Sequence, residues 1–380
     1  MAYFDNNATT RPLPEALAAH DEAMRKSWLN PSSPFRAAAN VRARLNKARE
    51  DISSCFGLGT NQVTFSSGAT EANNSVFAHA AHEAEDSARV VLSSIEHPSV
   101  SEPASYWFGD RVSRVAVEPS GVLDLEFLET LLDGSDSICL VSLMAANNET
   151  GVLQPWREVA ELCRQRGIPF HCDATQWVGK LPSSGFSVCS SFTASAHKFG
   201  GPKGLGILGG MANSFVLGGN QENGNRGGTE NFPAVDAMKV ALEIQSERVR
   251  ELPLRSAWRD SFERSMEDNF PGLQIAGRDA PRLWNTSMLL VPDYENLSYL
   301  GKLDKLGFEV STGSACSSGI DEDSGVPKAM GYSSTQSKRL IRISSFIDET
   351  ENDWKELAEA FCVARDELDR ESGNSSVISI

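Results

Sequence analysis

Short apolar runs alternate with helical periodicity through the first two thirds of this chain, and that alternation limits the fold more than any other feature. RVVLSSI (89–95), RVSRVAV (111–117), ICLVSLM (138–144) and IPFHCDA (168–174) read as short buried strands. Between several of them lie helical stretches, at 123–132 and 155–166, and an earlier one repeats its apolar residues at Val41, Leu45, Ala48, Ile52 and Cys55. QVTFSSGATEANNSVFAHAA supplies a further β-rich run, a Ser-Gly turn and a helix. Strands that alternate with helices form a mostly parallel sheet covered on both faces.

The pattern changes after a long helix expected over 233–252. Further helix follows, then the strand-like runs LQIAG, TSMLLV, FEVSTGS and IRISS, and a last amphipathic helix with Trp354, Leu357, Phe361, Ala364 and Leu368 on one face. The expected organisation is a large α/β unit over 15–250 and a smaller α+β unit over 251–371 that takes in residues 1–14. A flexible tail is expected over 372–380.

The charge balance excludes some functions. Lys plus Arg number 35 against 51 Asp plus Glu, a net charge of −16, so a phosphate backbone is repelled and direct nucleic-acid binding is not expected. No run of 18 apolar residues marks a membrane span. The opening MAYFDNNATTRPLP has neither the basic nor the apolar region of a secretory signal. Seven cysteines, odd in number and never spaced CxxC, fit a reducing compartment, and the cytoplasm is the expected location. His79, His82 and Glu83 share a helix face but lack a distant third ligand, so no metal site is expected.

The chemistry gathers at the predicted strand ends, where open parallel sheets bind ligands. In SSGATEANN, Gly68, Ala69 and Thr70 lie between a strand and a helix N-terminus, a setting that favours an anion. No GK[ST] follows, so this is not a nucleotide-binding P-loop. Asp173 ends an apolar strand, where a carboxylate is either functional or satisfied by core hydrogen bonds. Lys198 follows a histidine and precedes a glycine-rich run in SAHKFGGPKGLG. An ionised Asp, a desolvated Lys and an anion-binding helix end together meet the needs of pyridoxal 5'-phosphate. His97, after another strand, is then placed to stack on the ring or carry a proton.

SSGATEANN, EHPSV, NNETG, HCDATQ, SAHKFGGPKG, RGGTEN and TGSACSSG stand in the order, and at nearly the spacing, of the cysteine desulfurases, which this chain closely resembles. The resemblance runs from Tyr3 to about Phe346, and within that family it is to the subgroup with a long mobile loop around its cysteine. It implies the aspartate-aminotransferase-like fold (fold type I of pyridoxal-phosphate enzymes, class V branch). It also implies that Lys198 holds the cofactor, Asp173 pairs with the ring nitrogen, Gln176 donates to the ring hydroxyl and His97 stacks on the ring. Ala69, Thr70, Ser195 and His197 are implied to bind the phosphate, and Thr229 to reach the phosphate of a neighbouring subunit in a homodimer. Asn148 and Arg342 are implied to hold the carboxylate of L-cysteine, a task that suits the planar fork of arginine.

Cys316 is implied to take the substrate's sulfur as a persulfide and release L-alanine, the sulfur passing to an iron–sulfur scaffold or another acceptor protein. Its glycine- and serine-rich surroundings favour a moving nucleophile over a small buried residue. A selenocysteine lyase or a cystine or cysteine β-lyase of the same fold is the alternative expectation, and a non-enzymatic docking subunit a third. Phe35, Ala196, Gly200, Asn223 and Asn225 depart from the family pattern, with consequences expected at the pocket entrance and the subunit contact.

Overall fold

The computed structural model describes residues 1–134, 137–210, 215–313 and 325–375. Strand β1 (Ala2–Tyr3) is followed by helices α1 (Pro14–Lys26) and α2 (Arg36–Phe56). Next come β2 (Val63–Ser66), α3 (Ala69–Glu83), β3 (Arg89–Ser93), α4 (Pro98–Phe108) and β4 (Val112–Val115). The alternation continues through α5 (Leu125–Leu132), β5 (Ile138–Met144), α6 (Trp156–Arg166) and β6 (Phe170–Asp173). Strands β7 (Ser191–Ser195) and β8 (Gly206–Gly210) then lead to the long helix α7 (Phe232–Arg248).

These strands form one seven-stranded sheet in the order β2-β8-β7-β6-β5-β3-β4. All run parallel except β8, which is antiparallel to both of its neighbours. The strands are apolar on both faces because both are covered. Val91, Val141, Leu143 and Ile207 point into a core shared with α1, α2, α6 and α7. The alternate residues Val90, Leu92, Leu140 and Leu208 pack against Ala72, Val76 and Phe77 of α3 and Val100, Ala104 and Phe108 of α4. Successive side chains on a strand face opposite ways, so a continuous apolar run is what a doubly covered sheet requires.

The second half supplies α8 (Ser256–Asn269), β9 (Gln274–Ile275), β10 (Thr286–Leu290), α9 (Asn296–Lys305) and β11 (Phe308–Glu309). Short helices α10 (Gly325–Ala329) and α11 (Ser334–Ser337) precede β12 (Leu340–Ser344) and α12 (Glu351–Ser375). A three-stranded antiparallel sheet, β12-β10-β9, carries α8, α9 and α12, and Trp354, Leu357, Phe361, Ala364 and Leu368 are all buried in its core. Helix α12 runs to Ser375, four residues past Glu371. Among the described residues of FEVSTGS, strand is found at Phe308–Glu309, where β1 pairs beside it in parallel, and Ser311 then bridges Arg342.

Met288, Leu290, Leu340, Val326 and Met330 of this second part close over Ile95, Val117 and Met144 near the ends of the large sheet. The N-terminal segment joins the two parts. Asp5 bridges Ser344, while Thr10 N donates to the His197 carbonyl and Leu13 N to that of Gly200.

Candidate active site

Strands β2, β3, β5, β6 and β7 deliver their carboxyl ends to one cavity of about 1170 Å³. Ala69, Thr70, His97, Asn148, Asp173, Gln176, Ser195, His197, Lys198 and Arg342 all line it. Asp173 closes β6, and Lys198 stands three residues beyond the end of the adjacent parallel strand β7. Neighbouring strands thus bring together two residues that are 25 apart in sequence. Thr229 is absent from the lining of this chain's cavity. Cys316 lies outside the described residues.

The anion end is built by the turn into α3. Gly68 is its N-cap and offers no side-chain oxygen, so the first-turn amides at Ala69 and Thr70 carry no side-chain cap. The turn seats against β8 only because residue 206 is glycine: a Cβ there would stand 2.5 Å from the carbonyl carbon of Gly68. Ser195 is buried beside the same turn, and His197 Nδ1 lies 3.0 Å from Thr9 Oγ1. Burial, with Lys198 and Lys203 nearby, pushes the His197 imidazole down to about 4, so at neutral pH the ring is uncharged.

Elsewhere in the cavity, Asp173 is oriented by hydrogen bonds. Its Oδ1 accepts from Thr175 N at 2.9 Å and its Oδ2 from Asn73 Nδ2 at 3.0 Å. Asn73 is itself fixed, donating to Ser99 Oγ and accepting from Thr193 Oγ1 at 2.6 Å. Asp173 is therefore satisfied by hydrogen bonds and also faces the cavity. His97 caps α4, its Nδ1 accepting from Ser99 N at 3.1 Å. Burial lowers its pKa, Lys198 adds to the effect and Asp173 opposes it. The neutral ring with an accepting Nδ1 carries its proton on Nε2.

Lys198 Nζ donates to the carbonyls of Asn7 and Ala8, both at 2.7 Å. Arg342 is buried, with one terminal nitrogen donating to Asp5 Oδ1 at 2.6 Å and the other to the Asn148 carbonyl at 3.2 Å. Its Nε–H is buried without a partner among the described residues, and an incoming carboxylate oxygen would satisfy it.

The donor set fits pyridoxal phosphate: an amine, a carboxylate on an adjacent strand, an uncapped helix N-terminus and an imidazole in one cavity. Sequence reasoning missed the N-terminal strap that supplies Asn7 and Ala8, and with it Glu96, Asn73 and Lys180. The polar run DNNATT, without periodicity and ahead of a proline, is a sign of such a strap; a lysine inside the apolar stretch TQWVGKLP is another. Among the departures, Gly200 has φ +86°, and a Cβ there would strike Leu13 Cγ at 2.7 Å, so a larger residue would displace α1's N-terminus. Asn223 is left-handed at φ 59°, Asn225 Nδ2 lies 3.4 Å from Thr64 Oγ1, and Phe35 is exposed.

The Aminotransferase class-V family model matches residues 2–357. A cysteine desulfurase of Enterobacter agglomerans is 36% identical, over 93% of this chain and 90% of its own. The structure of a NifS-like protein superposes with a TM-score of 0.87 at 30% identity, covering 95% of this chain and 98% of that one. SspA in complex with cysteine matches with a TM-score of 0.79 at 26% identity, over 90% of this chain and 98% of that one. No helix among the described residues is long and apolar enough to cross a membrane, and none of their His, Cys, Asp and Glu residues group as a metal site. With the family model spanning almost the whole chain and relatives this similar, the chain belongs to the class-V aminotransferases, a family dependent in general on pyridoxal phosphate, and within it to the cysteine desulfurases.

Proposed function

We propose that this protein is a pyridoxal-phosphate-dependent cysteine desulfurase. L-cysteine and the Cys316 thiol yield L-alanine and a Cys316 persulfide, with no outside oxidant or reductant. The observation that carries the reading is the meeting of Lys198, Asp173, His97 and the uncapped α3 N-terminus in one cavity. When bound, the cofactor supplies an aldehyde for amines and a ring that withdraws electrons from the substrate's α-carbon.

Lys198 would hold it, Asp173 would face its ring nitrogen and Gln176 its ring hydroxyl. Its phosphate would take N–H donors from Ala69 and Thr70 and the Ser195 hydroxyl, with neutral His197 beside it. Arg342 and Asn148 bind the substrate carboxylate, the vacant Nε–H giving Arg342 a second point of contact besides a terminal nitrogen. His97 would cover the ring, with its Nε2–H available to a departing group. Cys316 is the acceptor, and its thiol must be ionised to attack sulfur.

Thr229 follows a segment fastened to α3 by the Arg226–Glu71 pair, 3.0 Å apart, and we assign it to the phosphate of a second copy in a homodimer. The remaining partner is a sulfur-acceptor protein such as an iron–sulfur scaffold. The six described cysteines are all free, in keeping with a cytoplasmic site of action.

The test is intact-mass analysis after incubation with L-cysteine. One added sulfur on Cys316, with alanine released, is the expected result, and Cys316→Ser should lose both while keeping the cofactor's visible spectrum. Undiminished turnover by Cys316→Ser would assign the site to a lyase instead.

A further inference from the structure

Lys180 is completely buried, and among the described residues no carboxylate lies within ion-pair reach of it. Such an amine is costly to bury unless its N–H groups are matched by well-placed acceptors. Burial holds its pKa well below that of an ordinary lysine, and Lys198 and Arg342 push the same way. Its two bonded acceptors are side-chain amide oxygens, Asn7 Oδ1 at 2.6 Å and Gln176 Oε1 at 2.5 Å.

An amine bonds those oxygens in only one sense. As a cation Lys180 only donates, and even as a neutral amine it has two N–H donors against one lone pair, so the arrangement that uses both donors turns each amide's oxygen toward it and its nitrogen away. Gln176 Nε2 consequently points to the cavity side, where it donates to the Asn7 carbonyl at 2.9 Å. Asn7 Nδ2 is sent the other way, to Thr286 Oγ1 at 2.9 Å and the Asn148 carbonyl at 3.1 Å. The Asn7 carbonyl also accepts from Lys198, and the Asn148 carbonyl from Arg342. One buried amine therefore joins the lysine end of the cavity to its arginine end through the N-terminal strap.

We propose that Lys180 is a positioning residue: it sets the amide orientation of Gln176 and Asn7, so that Gln176 presents a donor to the cofactor's ring oxygen and the strap is held under Lys198 and Asn148. The inference deepens the proposed function and rests on it for the identity of the ring. If Gln176 Nε2 stabilises an ionised ring oxygen, freeing that amide removes the donor and makes deprotonation harder.

The experiment compares wild type with Lys180→Met. Wild type loaded with pyridoxal phosphate is first trapped with borohydride and mapped; no adduct on Lys198 would end the cofactor reading while leaving the strap measurement below intact. With the adduct present, the pH midpoint of the visible absorption band should rise by about one unit in Lys180→Met. In the apoproteins, hydrogen–deuterium exchange across residues 4–10 should quicken several-fold in the variant, with α12 unchanged. An unmoved midpoint together with unchanged strap exchange overturns the proposal. A faster strap with an unmoved midpoint overturns the orienting role and leaves a packing residue. Should Lys180→Met not fold, Lys180→Ala, which also removes the N–H donors, is read by the same two measurements and the same outcomes.

Discussion

Glu96, directly before His97, shows how a single residue can be set by burial. Its Oε1 accepts from Ser93 Oγ at 2.5 Å and from Met144 N at 2.9 Å, while Oε2 is buried with no partner among the described residues. Burial pushes the carboxyl up to about 8, with Asp173 adding to the effect. The folded protein thus holds a proton that the unfolded chain releases near pH 4.5. The stability from this proton is complete below that pH and drains away as pH rises to about 8, with a slope of about 1.4 kcal/mol per unit. Glu96→Gln should remove that slope. Denaturant unfolding of both proteins between pH 5 and 8 checks it: the variant gains relative stability as pH rises, and parallel curves would disprove a buried neutral carboxyl. The histidines act oppositely, since His171 and His197, both lowered to about 4, favour folding more as pH rises to 6.5, but they cancel in the comparison.

At the scale of elements, helix α3 and strand β8 meet only where both backbones lack side chains. Gly206→Ala places a methyl group within 2.5 Å of the Gly68 backbone, and neither a flexible tip nor open space is there to absorb it. The expected outcome is a loss of about 1–3 kcal/mol of stability. Cofactor affinity should fall with it, because the amides of Ala69 and Thr70 move with the turn. Thermal unfolding and equilibrium dialysis of pyridoxal phosphate measure the two effects; affinity unchanged at reduced stability would detach the turn from phosphate binding. A second element-scale feature is the loop before Thr229. Glu222 takes a left-handed backbone at φ 50°, and both its carboxylate oxygens are clasped by the buried Arg49. Glu222 Oε2 also accepts from Phe65 N on edge strand β2, so the same clasp covers an otherwise open sheet edge.

For the molecule as a whole, the site exists only because the two parts close on each other. Arg342 comes from β12, Asp173 closes β6 and Lys198 follows β7, and the strap runs between them. The apolar seam that holds this arrangement includes Met288, which is almost wholly buried. Met288→Ala should cost about 2–5 kcal/mol in urea unfolding. A value near zero would mean that the seam relaxes around the cavity and does not fasten the two parts together.

Periodicity alone determined that this chain makes a doubly covered, mostly parallel sheet and a smaller α+β part, because strand and helix repeats are local properties of the side-chain order. Some residues of the cavity were legible for a related reason: strand ends and helix starts are local, and Asp173, His97, Thr70 and Lys198 sit at them, whereas Gln176, Asn148 and Arg342 came only from the family resemblance. Only the tertiary structure decided what surrounds them. Asn7 accepts from Lys198 across a separation of 191 residues, and Lys180 reaches Asn7 across 173. No local pattern encodes such contacts, since they depend on where the strap is laid once both cores have formed. A lysine in an apolar run becomes a fixed donor, and a glutamate beside a histidine a neutral acid, only after water has been excluded from both.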